Sequence, residues 1–385
     1  MNVTANAALT GELAIESHRS LRNIGIDILR GLSVILVIIH HLAVLIPVEA
    51  GVFSGLMPKW FISGLSHSGK EAVFIFFVIS GFLITSRVIA RRGSLREIST
   101  KEFYLRRAAR ILPCLLILVS VLSTLHLLGI KEFVILNPKQ SLWGAISSAL
   151  GFHLNWYEGK TGYLPLNWDV LWSLSIEEAF YLGFPLLCLL IRNEFTLLFA
   201  LLVFGASLPW LRDAIHSNEI WQEKAFLPGM AAIASGISAA IIATKLRIEK
   251  IWVWRCLKIL GWTGVLAVVF LNSLLWPIMG SYLLLFLTLS TQILLIALFW
   301  GELQSSAGKH FGFKWLSSFG ILSYEIYLTH MFVIWTFVHF FYALGGHQNL
   351  GLLWFAPAIF ASWFLGYLVA RYISVPLNQF FISRN

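Results

Sequence analysis

Residues 25–47 read GIDILRGLSVILVIIHHLAVLIP, and this stretch decides the fold. A helix needs about 20 mostly apolar residues to cross a bilayer core, and the stretch supplies them. It also carries Asp27, Arg30, His40 and His41. Ionisable groups at membrane depth are costly and point to function by default. At 100° per residue, Arg30 and His41 fall within about 20° of each other and about 16 Å apart along the axis. Asp27 lies about 60° from Arg30 on the same wheel, whereas His40 points roughly 80° away. One face of the helix is therefore a polar track. Asp27 and Arg30 are also at home in the interfacial zone. His41, two turns inside the apolar run, is less easily placed there.

The rest of the chain has the same character. Of its 385 residues 58% are hydrophobic and 12% charged, against about 25% charged in a globular protein. The net charge of +9 comes from short basic clusters between apolar runs. That is the positive-inside pattern of a membrane protein, and no nucleic-acid partner is implied. Cys114, Cys188 and Cys256 lie in or beside apolar runs without CxxC spacing, so neither a disulfide nor a metal site is expected.

Ten spans are expected: 24–46, 72–89, 111–130, 171–191, 195–211, 225–244, 257–275, 278–300, 316–342 and 352–372. The seventh and eighth make a tight hairpin around Trp276-Pro277. Residues 142–154 are apolar but too short to span comfortably, and read as an interfacial or re-entrant piece on the outer side. With both termini cytoplasmic, every strongly basic loop falls on one side, the most basic being 87–110. Residues 1–22 form a polar cytoplasmic tail, and the helix after it is too long for a cleaved signal. Residues 23–385 form one membrane-embedded domain. The fold class is all-α, a polytopic integral-membrane bundle.

Comparing depths along these spans puts His41 and Glu177 both in the outer half of the bundle, about 8 and 9 Å from the outer ends of their helices. In WSLSIEEAFY, Ser173, Glu177 and Tyr181 make one i, i+4 stripe, and Glu178 points about 100° elsewhere. A buried glutamate near a histidine orients a general base; equally, it bridges helices as a satisfied polar group. In ILSYEIYLTH, Ser323, Tyr327 and His330 share a face, and His330 approaches the depth of His41. A core histidine bonded to a neighbouring helix is the blander reading there. Arg107 and Arg110 stand three apart at the inner mouth of the third span, on the side of Arg30. Arginine suits bidentate phosphate binding, although any cytoplasmic loop is basic. Lys70 and Glu71 read as surface groups.

The blocks GIDILRGLSVILVIIHH, FFVISGFLIT, FYLRRAARILP, WSLSIEEAFYLGFP and ILSYEIYLTH, in this order, resemble the acyltransferase 3 family of integral-membrane acyltransferases over nearly the whole chain. The family's arginine-to-histidine motif has ten intervening residues, which selects Arg30 and His41. Its RxxR pair falls on Arg107 and Arg110, and its glutamate on Glu177. The resemblance implies His41 and Glu177 as catalytic residues and Arg30, Arg107 and Arg110 as the acyl-CoA site. Asp27, Ser80, Ser173, Tyr181, Tyr327 and His330 stand in support. The implied reaction moves an acyl group, usually acetyl, from cytoplasmic acyl-CoA as co-substrate to a hydroxyl of a surface polysaccharide or lipid-linked glycan. The implied location is a bacterial cytoplasmic (inner) membrane. His41 would act as a base or carry the acyl group itself. Some members add a C-terminal hydrolase-like domain; with the sequence ending at Asn385, none is expected here. A transporter or a glycan-export partner without acyl chemistry is the alternative.

Overall fold

The structure is a computed structural model that describes residues 23–46, 58–216, 218–246, 248–304 and 313–383. The expected tail at 1–22 lies outside the described residues. Helix α1 runs Ile24–Leu45. Its N-cap is Asn23, whose side chain accepts from the Ile26 N–H and donates to the Leu298 carbonyl at 2.8 Å. The cap satisfies an orphan N–H of the first turn and ties α1 to a distant helix. Helix α2 (Lys59–His67) leads into α3 (Gly69–Arg92), which stops at Gly93 with a φ of 80°, a left-handed stop suited to glycine. Helix α4 (Thr100–Leu127) is capped by Ser99 and starts well before the apolar run, so its arginines are helical.

Helix α5 (Leu142–Leu150) has nine residues, about 14 Å, half a bilayer core. With α6 (Leu154–Thr161) it forms the short-helix segment that precedes α7 (Trp172–Leu190). The fifth expected span is α8 (Glu194–Ala206), 13 residues, followed after Ser207 by the short helix Leu208–Asp213. Then come α9 (Phe226–Lys245), α10 (Ile251–Met279), α11 (Tyr282–Gln304), α12 (Lys314–Ile321), α13 (Ser323–Ala343) and α14 (Phe355–Val369). Among the described residues, nine helical stretches are long and apolar enough to cross a membrane, with α8 as a shorter apolar tenth. The molecule is an integral-membrane helical bundle.

Two of the expected stretches divide differently from the sequence reading. The 316–342 stretch breaks at Leu322, whose φ of −89° and ψ of 6° leave the helical range, so α12 and α13 are separate. The α10–α11 turn falls at Gly280, with φ of 52°. Pro277 sits instead in the last turns of α10, which is bent at Leu271 (φ −106°, ψ 15°). Proline has no N–H to donate to the Ser273 carbonyl one turn earlier.

Helix α9 is buried on nearly every side, from Pro228 to Ala243. It packs against α3 backbone to backbone: a side chain on Gly236 would run into the Val78 carbonyl, and one on Gly81 into that of Ile233. Gly31 and Gly320 do the same for α1 and α12. Apolar side chains gain little by leaving lipid, so close contact through small residues holds such helices together. These two contacts hold α1 and α3 closely in place, and with them His41, Arg30 and Ser80.

Candidate active site

Helix α1 delivers its polar track to α13. Near its start, Arg30 lies 3.9 Å from Asp27 and donates to Ser323 Oγ at 2.7 Å. Near its other end, His41 Nδ1 lies 2.9 Å from the Val37 carbonyl and 3.3 Å from His330 Nε2. His330 is 0% exposed, and its Nδ1 lies 2.8 Å from the Tyr327 carbonyl and 3.2 Å from that of Ile326. These partners fix both tautomers. A carbonyl only accepts, so each Nδ1 carries the proton. His330 Nε2 is then an acceptor facing the His41 Nδ1–H, and His41 Nε2 keeps its lone pair. His40 turns away: its Nδ1 lies 2.9 Å from the Ser66 carbonyl, and its ring packs against Gly69.

The stripe on α7 meets the same interior. Tyr327 donates to the Val170 carbonyl at 2.9 Å, and its oxygen lies 2.8 Å from Ser173 Oγ, which is then the donor. One turn further on, Glu177 accepts from Ser80 and from Arg107, each at 3.2 Å. The expected pairing of Glu177 with His41 is therefore corrected: His41 pairs with His330, and Glu177 with Ser80 and Arg107. The reason is depth. Arg107 stands seven residues into α4, about 10 Å from its start, and so reaches the carboxylates instead of the mouth. Glu178, read as pointing elsewhere, takes Arg107 with both oxygens, one at 3.0 Å. The guanidinium also lies 3.9 Å from the Tyr181 ring centroid, a cation–π contact. Arg107 is thus held by two carboxylates and an aromatic face. Arg110, three residues on, is exposed and has no hydrogen-bond or ion-pair partner among the described residues.

Other ionisable groups escaped the sequence reading. Lys224 donates to Glu158 at 2.9 Å and pairs with Asp169, clamping α6 to the chain just before α9. Glu158 is 0% exposed and also accepts from the Leu164 N–H at 3.0 Å. Burial and the neighbouring Asp169 push the Glu158 carboxyl well above the usual carboxylate range. Glu71 is buried rather than a surface group, at 2% exposure, and accepts from Asn272 at 2.6 Å. Lys70 pairs with Glu223 at 3.3 Å.

The bundle and its interior define a polytopic membrane protein whose ionisable side chains are gathered within the helices. The chain belongs to the acyltransferase 3 family: that family's acyltransferase domain matches residues 23–377. It is 33% identical over 182 residues to the O-acetyltransferase OatA of Staphylococcus aureus strain NCTC 8325 / PS 47, and equally to OatA of strain MRSA252. In each case the match spans 44% of this chain and 25% of the relative. No solved structure matches the chain.

Proposed function

We propose that this protein moves an acyl group, acetyl by preference, from cytoplasmic acyl-CoA to a hydroxyl of a surface polysaccharide or lipid-linked glycan. The single observation that carries the reading is the His41–His330 pair, which leaves His41 Nε2 as an unprotonated base inside a bundle of this family. A sugar hydroxyl is far too weak an acid to ionise alone, and a positioned base raises its reactivity. The hydroxyl oxygen attacks the thioester carbonyl carbon while its proton passes to His41 Nε2. The C–S bond then breaks, and the proton passes from His41 to the leaving sulfur, giving the ester and free CoA. His330 holds the His41 ring in the useful tautomer. Glu177 acts at one remove, as part of the wall with Ser80 and Arg107. Similarity to the O-acetyltransferase OatA of Staphylococcus aureus supports acetyl transfer to oxygen, and the basic run at 87–110 supports a cytoplasmic position for the arginine end, in the inner membrane of a bacterium.

The test is thiol release from acetyl-CoA by the purified protein in lipid nanodiscs, with and without glycan oligosaccharides. Mass spectrometry of surface glycans from cells with and without the protein identifies the product. Acceptor-dependent thiol release and loss of acetyl groups on deletion are expected. Unchanged glycans together with no thioester turnover would leave a transporter or export partner in its place.

A further inference from the structure

The arginines divide into two kinds. Arg107 is enclosed: its guanidinium meets Glu177, Glu178 and the Tyr181 face. An incoming phosphate would have to displace two carboxylates that are themselves held among α3, α4 and α7. Arg110 and Arg87 are exposed, and neither makes a hydrogen bond or ion pair among the described residues. Arg30 is only partly used, by Ser323 at 2.7 Å and by Asp27 at a loose 3.9 Å.

These three come from different helices and converge. Arg87 lies seven residues after Ser80 on α3, so it repeats the face of Ser80 about 10 Å nearer the basic end. Ser80 is locked to Glu177, and Glu177 to Arg107, which fixes α3 against α4. Arg110 follows Arg107 by three residues on α4 and so shares its face. Arg30 enters from α1, and its electrostatic neighbours include both Arg110 and Arg87. Three carboxylates lie nearby: Asp27 pairs with Arg30 itself, Glu178 is taken by Arg107, and Glu325 accepts from Ser374 at 2.7 Å and also faces Arg30. Three guanidiniums brought together repel one another, and an anion with several oxygens relieves that cost. Forked N–H donors suit phosphate in particular.

We propose that Arg30, Arg87 and Arg110 hold the phosphates of the acyl donor, and that Arg107 is a strut that does not touch it. The assignment rests on the acyl-CoA reading above and adds Arg87, which no sequence motif marked. The donor's long uncharged arm then runs from this cluster past Glu177 and Ser173 toward His41.

The experiment is equilibrium binding of CoA to the full-length protein in nanodiscs, with pantetheine, which lacks the phosphates, as the uncharged probe. Arg87→Gln and Arg110→Gln are each expected to weaken CoA binding about tenfold or more, the loss of one charge-assisted contact. Binding of pantetheine, which offers these arginines no phosphate, should change far less than binding of CoA in both. The salt dependence of CoA binding should become shallower as a charge is removed. Arg107→Lys keeps the buried charge, and is expected to bind CoA like wild type. Wild-type CoA affinity in Arg87→Gln alongside a weakened Arg110→Gln overturns the role of Arg87. Lost CoA affinity in a folded Arg107→Lys overturns the strut. Absence of CoA binding by the wild type overturns both this assignment and the acyl-CoA reading, so the two failures are told apart. Arg87→Ala, which also removes the charge, replaces the glutamine variant if that one does not fold, and an unchanged affinity in it overturns the role of Arg87 equally.

Discussion

The Arg107 cluster and the His41–His330 pair lie in the same interior and are satisfied in opposite ways. Arg107 spends its guanidinium on two carboxylates and an aromatic face. His41 uses one ring nitrogen on Val37 and His330 and leaves the other without a partner among the described residues. A buried charge with every contact made holds helices in register, because removing any member strands the others. A buried base with a spare lone pair is poised to take up a proton. Within one bundle, completeness of hydrogen bonding thus separates the groups that hold from the groups that react. Four experiments probe that separation, ordered by expected effect.

The largest effect is expected at His41. His41→Ala should lower acyl transfer by about 10²–10⁴-fold, the usual worth of a general base, with yield and thermal unfolding close to wild type. His40→Ala should keep much of the activity, since His40 faces Ser66 and Gly69. Thiol release per folded molecule measures both. A well-folded His40→Ala with no activity beside an active His41→Ala would reverse the assignment of the two faces. The second effect is on stability. Arg107→Met leaves Glu177 and Glu178 without their cation and should cost about 3–5 kcal/mol, read as a lower unfolding temperature in detergent. If Arg107→Met unfolds like wild type, completeness of bonding is not what marks a structural group here.

How much of this was legible in the sequence follows from the same residues. The helical wheel separates His40 from His41 because direction on a helix depends only on residue count, and apolar runs locate spans because lipid tolerates little else. Partners are another matter. Arg107 belongs to a basic loop by composition, yet α4 begins at Thr100 and carries it up to the glutamates. The wheel places Glu178 about 100° from Glu177, but a forked guanidinium lying between the two takes both. Lys224 stands one residue before the apolar run at 225–244 and reads as its flank. What holds it in the interior is Glu158, 66 residues earlier, in a segment whose mixed composition carries no periodic signal. Depth and pairing depend on tilt and on where helices actually start, and neither is written in hydropathy.

A smaller effect is expected where the reacting pair is braced. Tyr327→Phe removes the hydroxyl that joins Ser173 and the Val170 carbonyl, leaving two groups to find water. The cost to stability should be about 1 kcal/mol, with turnover reduced by less than in His41→Ala. The His330 Nδ1 contact is to the Tyr327 backbone carbonyl and survives the change. If Tyr327→Phe is as inactive as His41→Ala, the phenol takes part in the chemistry and the pair is really a triad.

The smallest effect is expected at Glu158, and it tests whether the second enclosed cation behaves like the first. Lys224 faces Glu158 and Asp169, one cation to two carboxyls as at Arg107. Burial and Asp169 together push the Glu158 carboxyl well above its usual range, so the folded protein favours Glu158 with its proton on. The sign of the pH effect follows. A raised folded pKa gives a contribution fully present below the unfolded carboxyl range and lost progressively as pH rises above it. Glutamine has nearly the shape of the protonated acid and can still accept from the Leu164 N–H. Glu158→Gln should therefore change the unfolding temperature little, and its stability relative to wild type should improve as pH is raised. Lys224→Met is the contrasting variant: it leaves Asp169 without its buried cation and should cost about 3–5 kcal/mol. If Glu158→Gln loses as much as Lys224→Met, and loses more at higher pH, both carboxylates are ionised and Lys224 holds the two as Arg107 does. If it loses little, the two clusters differ in kind: at Arg107 one guanidinium fork is shared between two carboxylates, and at Lys224 the second carboxyl is held neutral by a proton.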